Sequence, residues 1–180
     1  FNMFTDMLKK LGFWDYMKQL TFKKVIPCGE NRFKSFFDNA IKNEETIYMD
    51  WDHDPDGAFS IKEFKLMLDT LGYNKYVIAK PTYKRHILTM AYAKSIVDSG
   101  YRYVLIVDSS TNNREILEYF DLNNINCLVF DQHEIEGYSV FASRKVKVIN
   151  PMIDYKERHI DLCICLSAGM VSALLIDWYI

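Results

Sequence analysis

Over residues 3–20 the apolar positions Phe4, Met7, Leu8, Leu11, Trp14 and Met17 recur at spacings of three and four, which predicts an amphipathic helix. The segment NRFKSFFDNAIKNEE (31–45) repeats that pattern after a break at Pro27 and Gly29. From there the period shortens. TIYMD (46–50), KYVIAK (75–80), YRYVLIVD (101–108), INCLVFD (125–131) and KVKVIN (145–150) are short and rich in β-branched and aromatic residues, as strands are. Between them lie the helical patterns AFSIKEFKLMLDTLG (58–72), RHILTMAYAKSIVDSG (85–100) and NNREILEYFD (112–121), two of them closed by Gly72 and Gly100 in the C-cap role. Alternating strands and helices predict an α/β fold: a mostly parallel sheet of about five strands, with helices on both faces and right-handed crossovers. The chain divides into an N-terminal helical segment, 1–45, and an α/β domain, 46–180.

The longest apolar run, LCICLSAGMVSALLI (162–176), lies between Asp161 and Asp177. It falls short of the roughly 20 residues of a membrane span, and Ser167, Gly169 and Ser172 lower its apolarity, so it reads as a buried helix. With 180 residues, 49% of them hydrophobic, one substantial core is expected. Lys and Arg number 22 against 24 Asp and Glu, so a nucleic-acid partner would need a local basic groove. KPTYKRH (80–86), with Lys80, Lys84, Arg85 and Tyr83, is the candidate; its alternative reading is a solvated helix start. Cys28, Cys127, Cys163 and Cys165 form no CxxC pair and sit mostly in apolar runs, which suits buried thiols in a reducing, cytoplasmic setting. The start carries no secretory pattern and is not Met, so a piece of a longer polypeptide is expected.

The chemistry concentrates in MDWDHDPDGAFSIKEF (49–64), where Asp50, Asp52, Asp54 and Asp56 alternate before Gly57. Carboxylates so close repel one another unless a cation sits among them. In a parallel sheet the residues just past the strand C-termini meet along one edge, where such folds bind ligands. Here the first strand runs into Asp52, Asp54 and Asp56, VLIV into Asp108, and CLVF into Asp131 with His133 two residues on. One such acid is ordinarily a helix cap or turn residue; three strands delivering acids and an imidazole to one edge predict a metal site. Oxygen ligands favour Mg²⁺ or Mn²⁺, and an imidazole tilts the choice to Mn²⁺. Two ions about 3.5–4 Å apart would suit phosphoester hydrolysis.

Asp52, Asp54, Asp56, Gly57 and Glu63 also satisfy the calcium-loop pattern D-x-[DN]-x-[DN]-G-x₅-E, which would make this an EF-hand-like binding module. Against that stand a strand where the entering helix belongs, Pro55, and the lack of a second loop. Glu63 is expected on the exposed face of the following helix.

NAIKNEETIYMDWDHDPDG, YVLIVDSSTNN, LVFDQHEIEG and VINP followed by LSAGMVSALL occur in that order. Over about residues 33–176 the chain thereby resembles the DHH phosphoesterase family, most closely its RecJ-like single-strand exonuclease branch. The resemblance implies Asp54 and Asp56 as metal ligands, Asp108 as a carboxylate bridging two ions, His133 at the metal or the substrate phosphate, and Asp52 as a further ligand. Ser167 and Gly169 match small residues that let a helix N-terminus approach substrate, with packing as their alternative role; Gln132, and Lys84 and Arg85 of the basic stretch, are the other candidate substrate contacts.

Three departures stand out. Gln132 replaces the family's first signature His, and an amide cannot match an imidazole's affinity for Mn²⁺. Ser110 replaces a usual Gly, a mild change if the turn needs no positive φ. The family's last metal-binding Asp lies beyond the small-residue helix, and Asp177 comes too early to be it. Its C-terminal substrate-binding domain, the second wall of a single-strand groove, is expected from the remainder of a longer chain. The implied function is a Mn²⁺- or Mg²⁺-dependent phosphodiesterase that hydrolyses single-stranded DNA from an end. The alternatives are a small-molecule DHH phosphoesterase acting on oligonucleotides, cyclic dinucleotides or pyrophosphate, and a catalytically inactive DHH-fold scaffold.

Overall fold

The computed structural model describes residues 29–80, 88–136, 140–153 and 168–180. The helix expected over 3–20 and the cysteines 28, 163 and 165 lie outside these residues, as do Lys84, Arg85 and Ser167.

Five strands form the sheet: β1 Ile47–Trp51, β2 Tyr76–Ile78, β3 Tyr103–Val107, β4 Asn126–Phe130 and β5 Val146–Ile149. All neighbouring pairs are parallel, in the order β2-β1-β3-β4-β5. The helices are α1 Glu30–Lys42, α2 Pro55–Thr70, α3 Met90–Asp98, α4 Arg114–Leu122 and α5 Ala168–Tyr179. Each strand expected from the short period is present, β2 being the shortest at 3 residues. The second helix begins at Pro55, earlier than its apolar pattern indicates, because proline's fixed φ and missing N–H suit a first helical turn. Gly72 and Gly100 take φ of 70° and 84° just past α2 and α3, the left-handed stop that the sequence calls for.

Two cores sandwich the sheet, and side-chain alternation assigns them. Tyr103, Leu105 and Val107 of β3 point to one face, against Phe33, Phe36 and Phe37 of α1, Phe64 and Met67 of α2 and Leu175 of α5. Val104 and Ile106 point to the other, against Ala93 and Ile96 of α3 and Ile116, Leu117 and Phe120 of α4. Phe33, Phe37 and Phe64 meet with ring centroids 4.8–6.0 Å apart, and Phe130 joins Phe64 edge-on at 5.4 Å. Burying each such ring contributes about 1.5–3 kcal/mol. Helix α1 is thus packed into the same core as the sheet.

Strand order fixes where a ligand fits. From β1 the chain crosses to β2 on one side, and β3 lies on the other. The C-terminal ends of β1 and β3 therefore diverge at a topological switch point, the usual position of an α/β crevice.

Candidate metal centre

Strand register carries the acids to that crevice. Trp51 pairs with Val107, and Val107 with Phe130, so β1, β3 and β4 end level. The next residue in each case is Asp52, Asp108 and Asp131. Their own amides extend the ladder: Asp52 N–H donates to the Val107 carbonyl at 3.0 Å, Asp108 to Phe130 at 2.7 Å and Asp131 to Ile149 at 3.1 Å. Asp50 takes no part in the edge; it is buried inside β1 opposite Ile106.

Asp108 is 1% exposed, and its Oδ2 has no hydrogen-bond partner among the described residues. Burial first, then the charges of Asp56 and Asp54, push its carboxyl up to about 7. Its Oδ1 accepts a long hydrogen bond, 3.5 Å, from the Gln132 amide. The backbone is strained here as well, with φ of 62° at Asp108 and 76° at Ser110. The turn after β3 does need a left-handed residue at 110, so serine in place of glycine is a costly change rather than a mild one.

Asp131 and His133 form a fixed pair. Asp131 is buried and accepts from the Thr111 N–H at 2.9 Å through Oδ2. Its Oδ1 accepts from the His133 N–H at 3.2 Å and lies 2.7 Å from His133 Nδ1. Burial opposes ionisation of Asp131, but these donors outweigh it and hold the carboxyl below the usual range. Burial likewise disfavours the His133 cation, yet the Asp131 bond and the charges of Asp131, Asp108 and Asp52 raise the imidazole above its ordinary value. With Nδ1 engaged, Nε2 is the nitrogen left for a ligand. Ligand atoms of Asp108, Asp131 and His133 lie within 4.8 Å of one another. Asn150 steadies the loop by donating to the His133 carbonyl at 3.0 Å.

Asp54 and Asp56 approach from α2. Asp54 is the helix N-cap, its Oδ1 accepting from Gly57 N–H at 2.9 Å. The glycine of this motif is required by space: a Cβ there would stand 2.1 Å from the Asp52 carbonyl oxygen and 3.3 Å from Asp108 Oδ2. Asp56 Oδ1 accepts from the Gly169 N–H of α5 at 3.1 Å. A Cβ on Gly169 would meet Phe59 at 2.8 Å and Asp56 Oδ1 at 3.2 Å. The small residue thus lets α5 close on the carboxylate of Asp56.

Glu63 corrects one expectation and supports another. It faces α5 and is not on the exposed face of α2: the buried Ser172 hydroxyl donates to its Oε2. Burial, outweighing that bond and aided by the Asp56 charge, lifts Glu63 to about 7. The calcium-loop reading fails with it, since Asp52 follows a strand, Asp54 caps a helix and Glu63 is turned to another helix.

The edge opens on a cleft of about 540 Å³ lined by Asp52, Ser109, Ser110, Thr111, Asp131 and His133, with Glu134 and Glu136 at its rim. Asp52, Asp108, His133 and Gln132 therefore meet at one sheet edge, and Asp54 and Asp56 reach it through their charges on Asp108. Sequence reasoning missed Asp131 as the carboxylate that orients His133. An acid two residues before a histidine, at a strand end, was the available signal.

The all-parallel sheet, with this acid edge at its switch point, has a fold shared with solved structures of RecJ and of a DHH domain. The chain is similar in fold to exonuclease RecJ bound to manganese, with a TM-score of 0.70 and 19% identity over 84% of this chain and 37% of that one. It is similar also to RecJ in complex with Mn²⁺ from Thermus thermophilus, with a TM-score of 0.66, 20% identity, and coverage of 84% and 20%. The DHH domain of a member of the s1p family of ribosomal proteins gives a TM-score of 0.63 and 14% identity, with coverage of 82% and 38%. The chain thus spans between 20% and 38% of the length of these structures. No protein-family model and no curated protein matches the sequence.

Proposed function

We propose that the chain is the metal-binding domain of a divalent-cation-dependent phosphodiesterase that hydrolyses single-stranded nucleic acid, DNA in the first instance, as a RecJ-like exonuclease. The observation that carries this reading is Asp108: a buried carboxylate with one unpartnered oxygen, pressed by Asp54 and Asp56. Neutral protein groups leave that oxygen unsatisfied, whereas a Mg²⁺ or Mn²⁺ ion matches its charge and hardness. Asp52, Asp54, Asp56 and Asp108 would hold the cation. A bound divalent cation supplies charge neutralisation at the phosphate and a nucleophile at neutral pH.

The protein's own groups do the rest. His133, its Nδ1 tied to Asp131, presents Nε2 to a phosphate oxygen and carries more positive charge near neutrality than a free imidazole. Gln132, whose amide donates to Asp108 Oδ1 at 3.5 Å, keeps a second N–H for a substrate oxygen. Among the described residues the cleft lining includes no lysine or arginine. The α5 start does not serve here, because the Gly169 N–H is given to Asp56, so backbone neutralisation along a strand falls to groups elsewhere: Lys84 and Arg85, and a second wall from the remainder of a longer chain.

The test is hydrolysis of an end-labelled single-stranded oligonucleotide, with duplex DNA, RNA and a cyclic dinucleotide alongside, in Mn²⁺ and in chelator. Asp108→Ala is expected to lower the Mn²⁺-dependent rate by about a thousandfold while the circular dichroism spectrum is kept. A wild-type rate in that variant would remove Asp108 from the mechanism. Turnover of the cyclic dinucleotide alone would replace the exonuclease reading with a small-molecule one.

A further inference from the structure

Asn150 follows β5 and precedes Pro151, where a helical turn begins. Its ordinary role there is that of an N-cap, and Oδ1 does accept from the Met152 N–H at 2.9 Å. A cap needs only that acceptor, which Asp or Ser supplies as well. Asn150 brings a donor besides: Nδ2 reaches Thr111 Oγ1 at 3.3 Å and the His133 carbonyl at 3.0 Å, one for each of its hydrogens. The residue is 0% exposed, so both bonds are made away from bulk water. They close a circuit. Thr111 N–H donates to Asp131 Oδ2 at 2.9 Å, Asp131 Oδ1 accepts from the His133 N–H and lies 2.7 Å from Nδ1, and the His133 carbonyl returns to Asn150. The loops after β3, β4 and β5 are thereby joined at the sheet edge. Three buried residues hold one imidazole, itself half open to the cleft.

We infer that Asn150 is a positioning residue: through Nδ2 it locks the His133 loop to the loop after β3 and so sets where the imidazole stands in the cleft. Its effect on rate rests on the phosphodiesterase reading above; its hold on His133 does not. The His133 backbone is pinned on one side by the Asp131 N–H, which donates to the Ile149 carbonyl, and on the other by its own carbonyl on Asn150. Without the amide donor that carbonyl loses this partner, and the peptide between residues 133 and 134 turns to find another, which carries the ring off Asp131 Oδ1. The cap survives any replacement that keeps an acceptor, so the two roles of Asn150 separate by substitution.

Asn150→Asp and Asn150→Ser keep an acceptor for Met152 and lack the amide donor. In the 180-residue chain kept in EDTA, above the titration of the imidazole, a long-range proton–nitrogen NMR correlation reads the His133 tautomer. The wild type is expected to hold the proton on Nδ1, against Asp131, and both variants to show mixed tautomers. Thr111→Val removes one acceptor from the circuit, leaves the cap intact, and gives the same readout should the Asn150 variants fold poorly. In Mn²⁺, hydrolysis of the single-stranded oligonucleotide should fall about 10- to 100-fold in the Asn150 variants and by no further factor in a His133→Ala background. An Nδ1–H tautomer kept in all the variants would overturn the inference, as would a wild-type rate in them or a loss that multiplies with that of His133→Ala. Mixed tautomers in the variants, with no hydrolysis even by the wild type, would overturn the phosphodiesterase reading and leave the hold of Asn150 on His133 standing.

Discussion

Asp108→Asn separates the charge of the central carboxylate from its shape. Burial and the neighbouring Asp56 and Asp54 raise Asp108 from 3.8 to about 7 in the folded chain. That is about 3 pH units, or about 4 kcal/mol at about 1.4 kcal/mol per unit. The folded state binds this proton more tightly than the unfolded state does. The contribution of Asp108 to metal-free stability is therefore full below about pH 4, falls as pH rises from there to about 7, and is flat above. The variant has no such proton to lose. In EDTA at pH 8 it should be more stable than the wild type by about 2–4 kcal/mol, and the gap should close at pH 4. Glu63, also raised to about 7, tilts both proteins alike and drops out of the difference. Added Mn²⁺ should reverse the order, since a cation at a hundred times its Kd contributes about 2.7 kcal/mol to the wild type and far less to the variant. Guanidinium unfolding followed by circular dichroism, at both pH values with and without metal, measures each quantity. Equal stabilities at pH 8 in EDTA would refute the view that this carboxylate is held against its charge.

Three further outcomes are expected. Ser110→Gly relieves the left-handed residue at φ 76°; after the greater unfolded-state entropy of glycine is deducted, a net gain of about 0.5–1 kcal/mol remains, and an unchanged or lower Tm would show the turn unstrained. Asp131→Asn removes the charge bonded to His133 Nδ1, so the His133 pKa read by NMR titration should fall; an unmoved value would sink the proposed orienting pair. Gly57→Ala drives a methyl to 2.1 Å from the Asp52 carbonyl and should cost about 3 kcal/mol in chemical unfolding, whereas a neutral result would mean the β1–α2 turn can open.

The sheet and its acids were legible because two periodicities, of two and of about 3.6 residues, write themselves into apolar positions. β3 is buried on both faces and reads as an unbroken apolar run, YVLIV, ending at Asp108. What could not be read are features set by packing between distant segments. Phe59 and Leu66 of α2 are exposed, while Ser60 is buried and Glu63 is half-buried against α5, so polarity points the wrong way on that helix. The φ at Ser110 is likewise invisible, because serine is an ordinary turn residue and its strain appears only once the chain must turn between β3 and α4. Asp131 reads as one more acid at a strand end; the histidine two residues on hints at its role, and its hydrogen bonds to His133 supply the geometry.

The backbone ladder that continues through Asp52, Asp108 and Asp131 bears on how such a site can be altered. Each of these acids is anchored by its own amide to the neighbouring strand before its loop begins, so the tolerance on donor position is that of a sheet. Loops beyond them can be lengthened, recharged or exchanged to accept a different substrate while these three acids stay in register. The site thus divides into a fixed frame and a replaceable rim, and redesign of specificity belongs in the rim.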